Sequence, residues 1–146
     1  MIKKIMATAG IIGLLFTGCG ASFDISAAAL EDYAAKNSGQ YVDVSSDYTD
    51  YDYIDGVYVL DVDNAHIEMW DLDSSDSAAL WFTNNVDTVK TVAVSHTGSN
   101  TSKSGSYSIK TSDEYYRILF SDDKGIYAYG DEKVLDTALK AMGIDK

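Results

Sequence analysis

Two histidines, one cysteine and a run of closely spaced aspartates are the side chains of this 146-residue sequence with the types to do chemistry. His66 and His96 are its only imidazoles, and neither stands in an H-x-x-x-H or H-E-x-x-H pattern. A zinc site would have to gather carboxylates from distant segments, so both are read as surface or strand-edge histidines. No G-x-S-x-G elbow is present. Ser121 to Lys124, "SDDK", matches S-x-x-K in letters, but its neighbours read as a hairpin turn and not as the start of a helix. "DVDNAHIEMWDL" opens like a calcium loop and lacks both the central glycine and the closing glutamate; "DLDSSDSAALWF" fails the same way, its aspartates suiting a helix start. No metal or other cofactor is expected.

The densest constellation is Ser45 to Gly56, "SSDYTDYDYIDG", where Asp47, Asp50, Asp52 and Asp55 interleave with Tyr48, Tyr51 and Tyr53. Aromatic faces beside carboxylates are the composition of a contact for a polar ligand, a sugar or a basic peptide. The same spacing also fits an edge segment whose alternate tyrosines pack on the domain while its aspartates face water. Of these residues, Asp47, Asp50, Tyr51, Asp52, Tyr53 and Asp55 form the candidate ligand contact.

Cys19 is the only cysteine, and it ends a segment with a recognisable layout: Lys3 and Lys4, then an apolar run from Ile5 to Phe16, then Thr17-Gly18. The apolar part is too short for a permanent bilayer span and has the order of a secretory signal. Leu15-Phe16-Thr17-Gly18-Cys19 resembles the lipobox of bacterial lipoproteins, with Phe16 where leucine is usual. The resemblance implies that residues 1–18 are a cleaved signal peptide. It also implies that Cys19 is diacylated on sulfur and becomes the new N-terminus, anchoring the chain on the extracytoplasmic side of the cell membrane. Two acyl chains hold stably where one binds only marginally, and thioether lipidation removes a thiol that has no partner in an oxidising compartment. The plainer readings are a cleaved signal with an incidental cysteine, or a single N-terminal membrane anchor.

The remaining 128 residues have the length of one domain, too short for a two-lobed, hinge-closing binding protein. With nine basic and 23 acidic residues they carry −14. The imbalance lies in Asp24 to Asp76, where 14 acids face Lys36 alone; from Ser77 onward nine acids face eight bases. Such a chain is repelled by nucleic acid, which is set aside as a partner. An acidic half attracts a basic partner or divalent cations, and acidic surfaces also keep exported proteins soluble.

Elements to position these residues follow from periodicity. Residues 19–23 read as a tether and 24–146 as the domain. Ile25 to Lys36 reads as a helix stopped by Gly39. Val57 to Val62 and His66 to Leu72 read as a hairpin across Asp63-Asn64-Ala65. Ser74 to Val89 has helical spacing, with Asp73, Ser74 or Ser75 as cap. Val92 to Ser95 is expected as a short strand, His96 to Gly105 as a polar loop, and Ser106 to Lys110 as a strand. Tyr115 to Phe120 and Ile126 to Tyr129 follow as a hairpin with Gly125 in the left-handed position. Asp131 caps a last helix that Gly143 ends.

The expected fold is α+β: one curved, mainly antiparallel sheet of about six strands with three helices on one face, including one right-handed parallel crossover between His66 and Ser95. Tyrosine and tryptophan are expected on the other sheet face, where rings with polar tips suit half-exposure. The polar loop, the strand pair and the closing "GIYAYGDEKVLDTALKAMG" also look like small lipoproteins of Gram-positive bacteria that have no assigned activity.

The functional expectation is a non-enzymatic accessory or interaction module, with the membrane, through Cys19, as one partner and another envelope protein or a basic molecule as a second. The alternative is a binding module for a small polar ligand, a glycan or a divalent cation through residues 45–56. A hydrolase using two carboxylates ranks third, since acids are plentiful but form no constellation.

Overall fold

The computed structural model describes residues 23–144. Helix ends fall where side chains or backbone geometry supply caps. α1 (Ala27–Lys36) closes through Ser38, in the left-handed region at φ 58°, and a bond from Gly39 N–H to the Ala34 carbonyl. Gly39, expected as the stop, closes the helix through its N–H, while the left-handed residue is Ser38. α2 (Ser75–Lys90) starts under Ser74, whose hydroxyl accepts from Ser77 N–H at 3.2 Å. α3 (Glu132–Ala141) starts under Asp131, whose carboxylate accepts from Lys133 and Val134 N–H at 3.0 Å each. It ends at Gly143, φ 87°, with Ile144 N–H bonded to the Leu139 carbonyl and the Ile144 side chain buried.

Seven strands form one open antiparallel sheet: β1 (Gln40–Asp43), β2 (Ile54–Val62), β3 (Ala65–Leu72), β4 (Ser95–Asn100), β5 (Ser104–Lys110), β6 (Tyr115–Ser121) and β7 (Lys124–Gly130). Their order is β1-β2-β3-β7-β6-β5-β4, and every neighbouring pair is antiparallel. The α+β class stands, with one strand more than the sequence showed.

Four expectations are corrected. β3 and β4, joined by α2, are not neighbours: β7, β6 and β5 lie between them, so no parallel pair forms among the described strands. The strand expected at Val92 to Ser95 is shifted; Val92 and Val94 lie in the turn after α2, 63% and 75% exposed, and the expected polar loop is edge strand β4. β4 buries none of its side chains and is held by backbone pairing to β5, so its sequence shows no apolar period. In the β6–β7 turn the left-handed residue is Asp122 (φ 51°), and Gly125 sits inside β7.

The fourth correction concerns the helices, which do not share one face. α1 and α3 pack over an aliphatic cluster of Leu60, Val62, Ile67, Met69, Leu119 and Ile126. α2 packs on the opposite face, over Ile109, Ile118 and Phe120. Alternation along β6 makes this unambiguous, because Leu119 belongs to the first cluster while Ile118 and Phe120 belong to the second. Phe23, expected at the end of a tether, is buried in the first cluster, its N–H bonded to Ser121 Oγ at 3.3 Å.

Candidate functional site

On the α2 face the strand register lines side chains up in rows. One row reads Val57, Trp70, Gly125, Phe120, Gly105, from β2 across to β5. Its two glycines are slots: a Cβ on Gly125 would overlap the Trp81 ring, and one on Gly105 would lie 2.7 Å from Phe82 Cζ. Trp81 and Phe82, adjacent on α2, thereby sit down on the sheet, Trp81 5.8 Å from Trp70 and Phe82 4.8 Å from Phe120 between ring centroids.

Four residues along the strands lies a second row: Asp61, His66, Tyr129, Tyr116. Between them runs Val59, Glu68, Tyr127, Ile118. His66, Glu68, Tyr116, Tyr127 and Tyr129 are all half-buried, and Asp61 is exposed. Tyr129 belongs to neither core cluster.

His66 is clamped. Its Nδ1 lies 2.6 Å from Asp61 Oδ1 and its Nε2 3.0 Å from Glu68 Oε1. Carboxylate oxygens accept and do not donate, so the two bonds form together only when both ring nitrogens of His66 carry protons. Its pKa is accordingly raised, first by the Glu68 bond, against the opposing effect of burial, and then by Asp61. The other Glu68 oxygen accepts from Trp70 Nε1 at 2.9 Å. Three side chains of β3 at spacing two thus form one fixed chain, and the His66 ring stacks on Tyr129 at 4.8 Å. With both nitrogens engaged internally, the imidazole offers no outward lone pair to act as a base.

Tyr116, Tyr127 and Tyr129 form a panel with mutual centroid distances of 5.7, 6.0 and 6.2 Å. Burial raises the pKa of all three phenols, Tyr127 to about 12. The charged side chains that add to this are carboxylates: Glu114 and Asp113 on Tyr116, Glu68 on Tyr127, and Glu68, Asp61 and Glu114 on Tyr129.

The residues singled out in the sequence occupy one border of this surface. Asp47 lies in a 3₁₀ turn (Ser45–Tyr48), and Asp50, Tyr51, Asp52 and Tyr53 follow before β2, with Asp55 near its start. The four aspartates are exposed, and Tyr51 and Tyr53 are 49% and 45% exposed. The segment is not an extended edge in which alternate tyrosines pack inward. Instead Tyr53, Tyr51 and Tyr48 form a ring series at 5.9 and 6.4 Å that ends edge-on against Trp70 at 5.0 Å. Among the described residues, no three His, Cys, Asp or Glu side chains come together as a metal-holding group. Cys19 lies outside the described residues.

The row Asp61-His66-Tyr129-Tyr116 was not found from the sequence. Its trace there is the alternation in "HIEMW" and "IYAY", which places His66, Glu68 and Trp70 on one face and Tyr127 and Tyr129 on one face without saying that the two strands adjoin. His66, read as a surface or strand-edge residue, is half-buried on an interior strand of the sheet.

No family model matches the chain, and no curated protein matches it. A solved structure described as a GTP binding regulator from Thermotoga maritima overlaps it with a TM-score of 0.49 at 8% identity, over 82% of this chain and 86% of that one. At that level the overlap has no bearing on what this chain does.

Proposed function

We propose that this protein is a membrane-anchored extracytoplasmic lipoprotein that works as a non-enzymatic interaction module, and that its contact surface is the aromatic and carboxylate row on the α2 face. The observation that carries the reading is the half-exposed panel of Tyr116, Tyr127 and Tyr129 beside the Asp61–His66–Glu68 clamp. Rings with polar tips next to fixed charges are what a contact surface uses, and the clamp holds them in place before any partner arrives.

The anchor rests on the lipobox-like stretch ending in Cys19. Four residues from Cys19 to Phe23 reach no more than about 14 Å. Lipidation would therefore keep the Phe23–Ser121 end of the sheet close to the membrane, while Tyr116 lies about 17 Å along β6 from Ser121. The tyrosine panel then stands at the end away from the lipid.

Two experiments test the two halves of this proposal. Mass spectrometry of the mature N-terminal peptide is expected to show diacylglyceryl-modified Cys19, and Cys19→Ala to release the protein from the membrane fraction; an unmodified thiol overturns the anchor. A photo-crosslinking residue at Tyr129 is expected to capture an envelope partner that the same residue at Glu31, on α1, does not. Equal capture at both positions overturns the assignment of the face.

A second reading has its own observation. Tyr51 and Tyr53 are exposed and in ring contact beside Asp50 and Asp52, a composition for a small polar ligand, a glycan or a divalent cation. A thermal shift on adding calcium or an oligosaccharide, abolished by replacing both tyrosines with Ala, would favour it.

A further inference from the structure

We infer that the partner of the aromatic row is a cationic peptide segment, whose lysine or arginine side chains lie across Tyr129 and Tyr116 with Asp61 and Glu68 facing their charges. The inference rests on the reading of that face as the contact surface. Three observations carry it.

The first is ring chemistry. The face of a tyrosine attracts an ammonium or guanidinium group, and three rings in mutual contact make a panel wide enough for a long aliphatic stem as well. The second is charge. Around the panel stand Asp61, Glu68, Asp113 and Glu114, and Asp47 acts on neighbouring Tyr48. His66 lies between two carboxylates, so even with its ring protonated the trio carries one net negative charge. The full chain carries −12, a field that draws in cations and turns away anions.

The third is a precedent inside the molecule. Lys90 Nζ sits 4.1 Å from the Tyr107 centroid and Lys110 Nζ 5.9 Å from that of Tyr115. Among the described residues the lysine–ring contacts thus fall on β5 and the start of β6. Tyr127 and Tyr129, with Tyr116 on the same face, have carboxylates beside them; His66 lies against Tyr129, and among the described residues no lysine–ring contact falls on any of the three. A neutral sugar would also stack on these rings, but it gains nothing from the carboxylate field, and His66 and Trp70 already use much of the hydrogen-bonding capacity of Glu68.

The test titrates the full mature chain with hexalysine and, separately, with an N-acetylglucosamine oligomer, following the backbone amide signals of Tyr116, Tyr127 and Tyr129. Hexalysine is expected to move them, and Tyr129→Leu or Asp61→Asn to weaken its binding roughly three- to tenfold. Tyr129→Phe, which keeps the ring face, and Asp32→Asn, on α1 over the opposite sheet face, are expected to stay within about twofold. Equal weakening by Asp32→Asn and Asp61→Asn would show diffuse attraction to an acidic protein and overturn the inference. Movement of the same signals by the sugar and not by hexalysine would overturn the cationic partner and leave the contact surface standing. No movement with either probe would overturn both.

Discussion

The two faces of one sheet are built from different chemistry. Under α1 and α3 lie Leu60, Val62, Ile67, Met69, Leu119 and Ile126, all buried and aliphatic. Under and beside α2 lie Trp70, Tyr107, Tyr116, Phe120 and Tyr127, with Ile109 and Ile118 among them, a largely aromatic set of which several are only half-buried. Branched aliphatic side chains stabilise by excluding water completely, and they gain most when a helix seals them. Aromatic rings with hydroxyl or indole tips stay stable at a partly wet surface, since the tip remains solvated while the ring packs. Two helices seal the first face and one helix crosses the second, which leaves the second able to meet something else.

That comparison can be broken most sharply on the sealed face. Ile67→Ala, at a fully buried position, is expected to cost about 3–4 kcal/mol in urea unfolding. Among the described residues the charge deep in that face is Arg117, 3% exposed, which donates from Nη1 to Asp136 on α3 at 2.8 Å. Asp136→Ala leaves the guanidinium buried without this bond and is expected to cost about 2–3 kcal/mol. This is below the cost for a fully enclosed pair because Asp136 is partly exposed.

On the α2 face, Gly125→Ala would force the Trp81 ring off the sheet. About 1–2 kcal/mol and a changed near-ultraviolet circular dichroism spectrum are expected, although alanine in a strand is ordinarily no worse than glycine. Tyr129→Leu is expected to change unfolding stability by under about 1 kcal/mol. A loss as large as that of Ile67→Ala would show that the row is core and not contact surface.

The smallest effect is one of pH. His66 faces Asp61 from β2, Glu68 from its own strand and Tyr129 from β7. Its folded pKa stands above the ordinary value of 6.5, so its stabilising contribution is complete below that pH and is lost as pH rises through the folded value. Melting temperature should therefore fall on the alkaline side of pH 6.5 by a component that His66→Gln removes. An identical pH profile in the variant would show that the clamp adds no stability.

Legibility in the sequence followed the range of the interaction. The cap at Asp131, the stop at Gly143 and the β2–β3 and β6–β7 hairpins are set by residues within a few positions of one another and were readable, and the α2 cap was narrowed to three residues that include Ser74. Strand β4 was not, because "SHTGSN" buries nothing and owes its form to the β5 backbone. β1 was missed in the same way, with one half-buried side chain in four residues. The expectation that tyrosine and tryptophan gather on one sheet face did not hold: Trp70, Tyr107, Tyr116 and Tyr127 lie on the α2 side, while Tyr41, Tyr58 and Tyr115 pack against the cluster under α1 and α3. The candidate contact at residues 45–56 was legible as composition. Its continuation through Tyr48 onto Trp70 was not, because β3 meets that segment only in the folded chain.

Alone, then, the sequence determined which residues share a face of the three helices and of strands β2, β3, β5, β6 and β7, and how its charge divides, since these depend on spacing and on side chains close along the chain. Only the tertiary structure decided that β7 lies between β3 and β6 and that α2 crosses to the far face. Those choices place Asp61, His66, Tyr129 and Tyr116 side by side. The reason is that strand neighbours and helix faces are settled by how whole elements bury one another's surfaces, a property that no local period carries.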